Sequence, residues 1–105
     1  EMYLIKAEAL GATNGLSTLK EFMNKRYATV SLPSSMSDTE FQNQILDERH
    51  RELYAEGQRW YDLKRTNRLD LFTSLNGRNY LMYYPVPQSE RDLAGAENYP
   101  QNDDY

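Results

Sequence analysis

The 105-residue sequence contains no cysteine, which excludes a disulfide framework, a thiolate zinc site and a cysteine nucleophile within it. No apolar run approaches the ~18–20 residues that span a bilayer, and no stretch is organised as a signal peptide. The five glycines are dispersed, so the sequence has no glycine-rich phosphate loop. A single histidine, His50, without clustered carboxylates argues against a transition-metal site. We therefore expect neither a metal nor another cofactor.

Positive charge and apolar residues are also scarce. Twelve bases against 16 acids give a net charge of -4, which argues against nucleic acid as a partner because phosphate-backbone binders carry a basic footprint. Apolar residues make up 39%, below the ~45–50% of ordinary globular chains. Nine tyrosines, three phenylalanines and one tryptophan are nevertheless too many for a disordered tail. The composition fits one small domain or a piece of a larger one.

The start of the chain predicts a helix over residues 1–12 that is apolar on both sides. Met2 and Ile5 share one side of the helical wheel, whereas Tyr3 and Leu10 lie on the opposite side. A helix of this kind is usually packed between two neighbours. Because no upstream segment is there to supply one of them, we expect the chain to be a fragment of a larger α-helical protein.

A second helix is predicted over residues 16–30, where apolar residues recur at helical spacing. Residues 12–15 separate the two helices and predict a turn, since the Asn14-Gly15 pair tolerates positive φ. A short turn makes the helices antiparallel. Such a helical hairpin is the unit of tetratricopeptide-like proteins, although many helical bundles also contain one.

A third helix is predicted over residues 38–66, with a bend at Gly57. Ser37 and Glu40 match the capping-box pattern directly before an apolar run, so Ser37 is the predicted N-cap. The preceding residues, 31–37, are rich in serine and contain a proline, which predicts a linker. The third helix is the longest predicted element.

The helical period fades after Asn67, which divides the sequence into a helical scaffold (1–67) and a tail (68–105). The tail is rich in proline and tyrosine and is predicted to be irregular and packed on the helices, with a possible short β-hairpin around 76–77. A helical turn is expected after Pro87. The predicted fold class is all-α: a tetratricopeptide-like hairpin, a long bent helix and an irregular tail.

The third helix places charges on its apolar stripe. Leu46, Leu53 and Trp60 occupy one side of the wheel, and Arg49 and Glu56 fall near the middle of the same side. Charged groups facing a core are costly unless they are paired and hydrogen-bonded. The sequence therefore predicts semi-buried ion pairs, and Trp60 is predicted to belong to the core. His50 falls off the stripe and is expected in solvent.

Two interpretations compete for these charges. Glu52 and Glu56, at i and i+4, are spaced like a carboxylate pair for glycoside hydrolysis. Alternatively, Arg49 pairs with Glu52 and Glu56 with Arg59 one turn away, or each finds a partner on an adjoining helix or the tail. We favour the ion network, since ion-paired acids titrate low rather than near neutrality.

Residues 48–65 (ERHRELYAEGQRWYDLKR) closely resemble the signature of the SusD/RagB family, which runs approximately E-R-R-x-E-L-x-x-E-G-x-R-W-x-D-L-x-R. Residues 1–9 resemble the family's preceding helix, and residues 84–90 resemble its Y-P-I-P-x-x-E segment. Residues 101–105 resemble its terminal Q-N-P-G-Y, with Asp-Asp in place of Pro-Gly, and His50 stands where arginine is usual. The signature residues are Glu48, Arg49, Glu52, Leu53, Glu56, Gly57, Arg59, Trp60, Asp62, Leu63 and Arg65.

This resemblance implies a surface lipoprotein of Bacteroidetes outer membranes with a tetratricopeptide-like scaffold. Members of the family bind glycans or other nutrients as lids on a SusC-like TonB-dependent transporter and are not enzymes. The chain would be the C-terminal portion, and its only membrane association would be a lipid anchor absent from this chain. The signature would serve the scaffold, while ligand contacts would come from other parts of the full-length protein, so no ligand residue is carried over.

The predicted function is therefore non-enzymatic nutrient capture, with glycans as the expected ligand, at the bacterial cell surface. A helical-repeat adaptor that binds proteins without a nutrient role is the alternative. A glycosidase using Glu52 and Glu56 ranks third.

Overall fold

The computed structural model describes residues 1–75 and 77–102, with the backbone alone at positions 73 and 79. These residues contain no β-strand, which confirms the all-α class. They form two compact units, Glu1–Asp62 and a second from Leu63 onward. The α-helices are α1 (Met2–Asn24), α2 (Asp38–Glu52), α3 (Gln58–Arg65) and α4 (Gln88–Ala94), and 3-10 turns lie at Leu69–Leu71, Thr73–Leu75 and Asn79–Met82.

α1 is a helical hairpin whose corner is Gly11. The backbone there has φ 69° and ψ 177°, which favours a residue without a Cβ atom. The Tyr3 hydroxyl donates to Glu21 Oε1 at 3.3 Å, although 18 residues of straight helix would separate the two by ~27 Å. The two arms, 2–10 and 12–24, are therefore antiparallel.

The reversal of the chain thus lies before the predicted turn at 12–15, and Gly15 lies inside the second arm. Its function is close packing rather than a turn. A Cβ atom at Gly15 would overlap the carbonyl oxygen of Ala7 on the first arm and lie 2.9 Å from Cζ of Phe41 on α2. The first arm and α2 can both approach the second arm closely at this position because glycine has only a hydrogen atom in place of a side chain.

The core of the first unit lies between the two arms of α1 and α2. The side of the first arm that carries Met2 and Ile5 stays open: Met2 is 73% exposed and Ile5 is 42% exposed. Within Glu1–Asp62, this arm therefore has a neighbour on one of its two apolar sides. The buried cluster comprises Leu4, Ala7, Ala12, Leu19, Phe22, Met23, Phe41 and Ile45.

α2 begins at the predicted capping box. Ser37 Oγ accepts from the Glu40 amide at 3.3 Å, and Glu40 Oε2 accepts from the Ser37 amide at 2.9 Å, which confirms Ser37 as the N-cap. The hydrogen bond from the Ser37 backbone also holds the pKa of Glu40 below its usual value. Two otherwise unpaired amides at the helix start are thereby satisfied.

Replacing Ser37 by alanine is expected to destabilise the fold by about 1 kcal/mol, because the cap acceptor for the Glu40 amide is lost. Denaturant unfolding of the two proteins measures the difference. Ser35→Ala, at an exposed position in the same linker, is the matched control and should stay within about 0.5 kcal/mol of wild type. Equal losses in both variants would contradict the prediction.

The helix predicted over 38–66 is two helices. α2 ends at Glu52, and residues 53–57 form a connection, here called the elbow, before α3 starts. Ala55 and Gly57 both have positive φ, 65° and 74°, which a continuous right-handed helix does not accommodate. The expected bend at Gly57 is therefore a break of five residues.

The second unit contains the 3-10 turns and α4, and Leu69 and Leu75 are buried in it. α4 follows Pro87 directly, as the sequence predicts. The hairpin predicted around 76–77 involves Asn76, which lies outside the described residues; the described residues on either side form 3-10 turns.

Three tyrosines of this unit are exposed: Tyr83, Tyr84 and Tyr99 each expose more than half of their surface.

Two side-chain amides hold the extended part of the second unit. Gln101 Oε1 accepts from the Val86 amide at 2.7 Å, and Gln101 Nε2 donates to the Val86 carbonyl at 3.3 Å. Asn102 Nδ2 donates to the Tyr84 carbonyl at 2.7 Å. Two of the sequence blocks that resemble the SusD/RagB family, 84–90 and the start of 101–105, are therefore in direct contact.

Candidate functional site

Three charged side chains of the signature are buried in the first unit. Glu48 is 1% exposed, Arg49 6% and Asp62 4%. Glu48 and Arg49 lie on α2, whereas Asp62 lies on α3 beyond the elbow. Charges at such depth require partners, so their contacts identify what the signature holds together.

Arg49 pairs with Asp62 across the elbow. Arg49 Nε donates to Asp62 Oδ2 at 2.7 Å, and its Nη2 lies 3.8 Å from Glu1 Oε1. Thirteen residues of straight helix would place Arg49 and Asp62 ~20 Å apart, so the break after α2 is what brings them together. Arg59 Nη1 on α3 donates in return to the Leu46 carbonyl on α2 at 3.0 Å. Two guanidinium groups, one from each helix, therefore fix the elbow.

Glu48 accepts three hydrogen bonds. Tyr27 Oη donates at 2.7 Å, Gln44 Nε2 at 3.0 Å and Arg51 Nη1 at 2.5 Å. The bond to Glu48 raises the pKa of the Tyr27 hydroxyl, with burial adding to the same direction. Glu48 therefore ties α2 to the segment that follows the hairpin.

Glu52 binds Arg26 rather than the predicted Arg49. The guanidinium donates from Nε at 2.8 Å and from Nη2 at 2.6 Å, one bond to each carboxylate oxygen. These bonds hold the pKa of Glu52 below its usual value. A carboxylic acid held ionised in this way does not suit general acid catalysis.

Glu56 is exposed in the elbow, which corrects its expected place in the middle of the apolar stripe. The helix on which that wheel position was counted ends at Glu52. Arg59, its predicted partner, donates to the Leu46 carbonyl instead. Glu52 and Glu56 therefore do not form the side-by-side carboxylate pair of a continuous helix.

The Arg26–Glu52 pair predicts a pH dependence of stability. Because the folded pKa of Glu52 lies below its ordinary value of 4.5, its contribution is complete above that pH and is lost as the pH falls through the folded value. Both side chains are partly exposed, which limits the contribution to about 1 kcal/mol. Denaturant unfolding at several pH values down to pH ~3 should show Glu52→Gln losing less stability than wild type on acidification.

Glu56→Gln, the same change at an exposed acid of the signature, is the matched control. Identical profiles for wild type and Glu52→Gln would contradict the assignment.

The other signature residues occupy varied environments. Leu53 and Leu63 are buried, Gly57 shapes the elbow through its positive φ, and Arg65 is exposed. Trp60 is half-buried, which corrects its predicted place in the core. Outside the signature proper, His50 is exposed as predicted.

A cavity of about 270 Å³ lies at the elbow. The side chains that line it include Arg49, His50, Tyr54, Arg59 and Trp60. In the described part of the chain, no group of three or more His, Asp or Glu side chains is arranged to hold a metal ion. The helices of that part are also too short or too polar to cross a membrane.

Comparison with known proteins identifies the family of this all-helical chain. The model of the SusD family, covering SusD and RagB proteins, matches residues 1–79. The chain belongs to this family, as its signature indicates.

One relative is the SusD-like protein P38 of Formosa agariphila, which is 36% identical over 89 residues. The match covers 73% of this chain but 18% of the relative, so the chain spans less than a fifth of that protein's length. No solved structure matches the chain significantly.

Proposed function

We propose that this chain is the C-terminal portion of a longer SusD-like lipoprotein that captures a nutrient, a glycan, at the cell surface. The family match over residues 1–79 carries this proposal. The longer relative, of which the chain matches 18%, supports the idea that most of the capture machinery lies in other parts of the protein. The proposed location is the outer face of the outer membrane, with a lipid anchor outside this chain.

The proposed role of the signature is structural. The contacts of Glu48, Arg49 and Asp62 support it, because each joins segments that are distant along the sequence. Arg59 adds a bond between α3 and the backbone of α2. In this proposal the signature fixes the scaffold on which the ligand-binding loops of the full-length protein are mounted.

The proposed partner is a SusC-like TonB-dependent transporter. A tagged full-length protein, extracted from outer membranes in mild detergent, should co-purify with a β-barrel transporter in near-equal amounts. A variant that lacks the lipidated cysteine controls for association that depends only on the shared membrane. Recovery of the native protein from the cytoplasm, without a transporter, would overturn the proposal.

The proposed activity is binding rather than catalysis, as in the family as a whole. The lowered pKa of Glu52 and the exposed position of Glu56 support this choice. If the full-length protein hydrolysed a glycan, Glu52→Gln should leave the rate unchanged. A rate that falls 100-fold or more, as expected on removal of a general acid or base, would restore the glycosidase interpretation.

The family match gives no support to the adaptor alternative.

A further inference from the structure

The elbow cavity is formed by a backbone conformation that is unfavourable in free energy. Ala55 adopts φ 65°, a region that residues with a Cβ atom seldom occupy, and Gly57 adopts φ 74°. The cavity lies inside the bend that these residues create between α2 and α3. Arg49 and Arg59 hold both sides of the bend, so the cavity is a fixed part of the first unit.

The lining of this cavity is rich in basic side chains. Arg49, Arg59 and His50 line it, and none of the lining residues is a carboxylate, although the chain as a whole carries a net charge of -4. A second cavity, beside Gly11, differs in this respect because Glu8 and Asp38 line it. An anionic group is therefore favoured at the elbow and disfavoured at the second cavity.

Arg59 and His50 are the groups able to bind a ligand there. The charge of Arg49 is balanced by Asp62 at 2.7 Å. Arg59 uses Nη1 for the Leu46 carbonyl, and a guanidinium has five N–H donors, so others remain for a ligand. His50 is exposed and adds an imidazole donor from α2.

Two aromatic rings complete the cavity. Tyr54 on the elbow is 78% exposed, and Trp60 on α3 is half-buried. The negative faces of such rings attract the C–H groups that a sugar ring presents on its own faces. A volume of about 270 Å³ is slightly below the ~300–1,000 Å³ of pockets for drug-sized ligands, which suits a single sugar unit of a longer chain.

We propose that the elbow cavity is a subsite for an anionic sugar unit, one that carries a carboxylate or a sulfate group. Arg59 and His50 bind the anionic group, and Tyr54 and Trp60 contact the faces of the ring. The inference rests on the proposed function of glycan capture and adds a ligand class and a contact within this chain. The capture site proposed for the rest of the protein would bind other units of the same glycan.

Calorimetric titration of the full-length protein tests this subsite. The ligands are trigalacturonate, a sulfated galactan oligosaccharide, neutral maltotriose and inorganic sulfate alone. His50→Glu introduces a carboxylate into the lining at an exposed position, and Tyr54→Ala removes the exposed ring. Tyr61→Ala is the matched control, because Tyr61 is also an exposed tyrosine but does not line the cavity.

One or both acidic oligosaccharides should bind at least about tenfold more tightly than maltotriose. A difference of this size is expected from one hydrogen bond to a charged group, which the neutral sugar lacks. His50→Glu and Tyr54→Ala should each remove most of this preference, and Tyr61→Ala should retain it. The two acidic probes distinguish a carboxylate from a sulfate ligand.

Equal affinity for acidic and neutral oligosaccharides would overturn the inference, as would a preference that His50→Glu and Tyr54→Ala leave intact. Inorganic sulfate binding as tightly as the sulfated oligosaccharide would reduce the cavity to a simple anion site and overturn the sugar assignment. Where a transporter still co-purifies and neutral glycan still binds, such results reject the subsite alone. Absence of both glycan binding and the transporter would reject the proposed function itself.

Discussion

Gly15→Ala is expected to destabilise the protein by about 1–3 kcal/mol, the usual cost of forcing extra volume into a packed interior. This change in stability is opposite in sign to the usual effect of the substitution, since alanine inside a helix is about 1 kcal/mol more favourable than glycine. The reason is the overlap of the new Cβ atom with the Ala7 carbonyl, a backbone atom that moves only if the two arms of α1 separate.

Denaturant unfolding of Gly15→Ala measures the effect, and two further variants locate its origin. Ser17→Ala, at an exposed position of the same arm, should change the free energy of unfolding by no more than about 0.5 kcal/mol. Phe41→Leu should not rescue Gly15→Ala, because trimming the Phe41 ring leaves the overlap with Ala7 in place. A stabilising Gly15→Ala would show that the arms are further apart than the structure places them.

Breaking the Arg49–Asp62 pair from either side is expected to cost about 3–5 kcal/mol. Asp62→Asn leaves a buried guanidinium without the carboxylate 2.7 Å from its Nε, and Arg49→Met leaves a buried carboxylate without this cation. Glu1, at 3.8 Å from Nη2, is too distant and too exposed to replace Asp62. A loss of this size is a large part of the ~5–15 kcal/mol stability of a typical domain.

A double-mutant cycle separates the pair from the packing around it. Arg49→Met combined with Asp62→Asn removes both charges and should cost at least about 1 kcal/mol less than the sum of the single changes. Glu56→Gln, an exposed acid of the same signature, should stay within about 0.5 kcal/mol of wild type. Additive single effects, or single effects below about 1 kcal/mol, would show that the two charges do not stabilise one another.

Local features were predictable from the sequence because their partners are close along the chain. The capping box needs only Ser37 and Glu40, three residues apart, and the structure confirms it. The exposure of His50 follows from its angle on a helix that does form there. The family assignment likewise depends on contiguous residues, and the family match confirms it.

Long-range pairing was not predictable, because it depends on where the helices break. Arg49–Glu52 and Glu56–Arg59 are sound pairs for a continuous helix, but the break at the elbow moves Arg49 to Asp62. One signal was available: Arg26 and Tyr27 follow the apolar spacing of the second predicted helix, although both carry polar groups. Each binds a carboxylate of α2, Glu52 for Arg26 and Glu48 for Tyr27.

The two glycines of α1 illustrate the same limit. The sequence favours Asn14-Gly15 as the turn, since Asn-Gly is a strong turn signal. The structure turns at Gly11 and uses Gly15 for contact between the arms. Both positions need a residue without a Cβ atom, one for its φ angle and the other for space, and a single sequence does not distinguish these needs.

The side-chain amide of Gln101 occupies backbone groups that another chain could otherwise bind. This amide pairs with both backbone polar groups of Val86, as a residue on a neighbouring β-strand would. Pro85 and Pro87 have no amide hydrogen, so Val86 carries the one donor of this tripeptide, and Gln101 occupies it. Because strand addition by another chain uses free donors as well as acceptors, this single side chain leaves residues 85–87 without a free backbone donor for it.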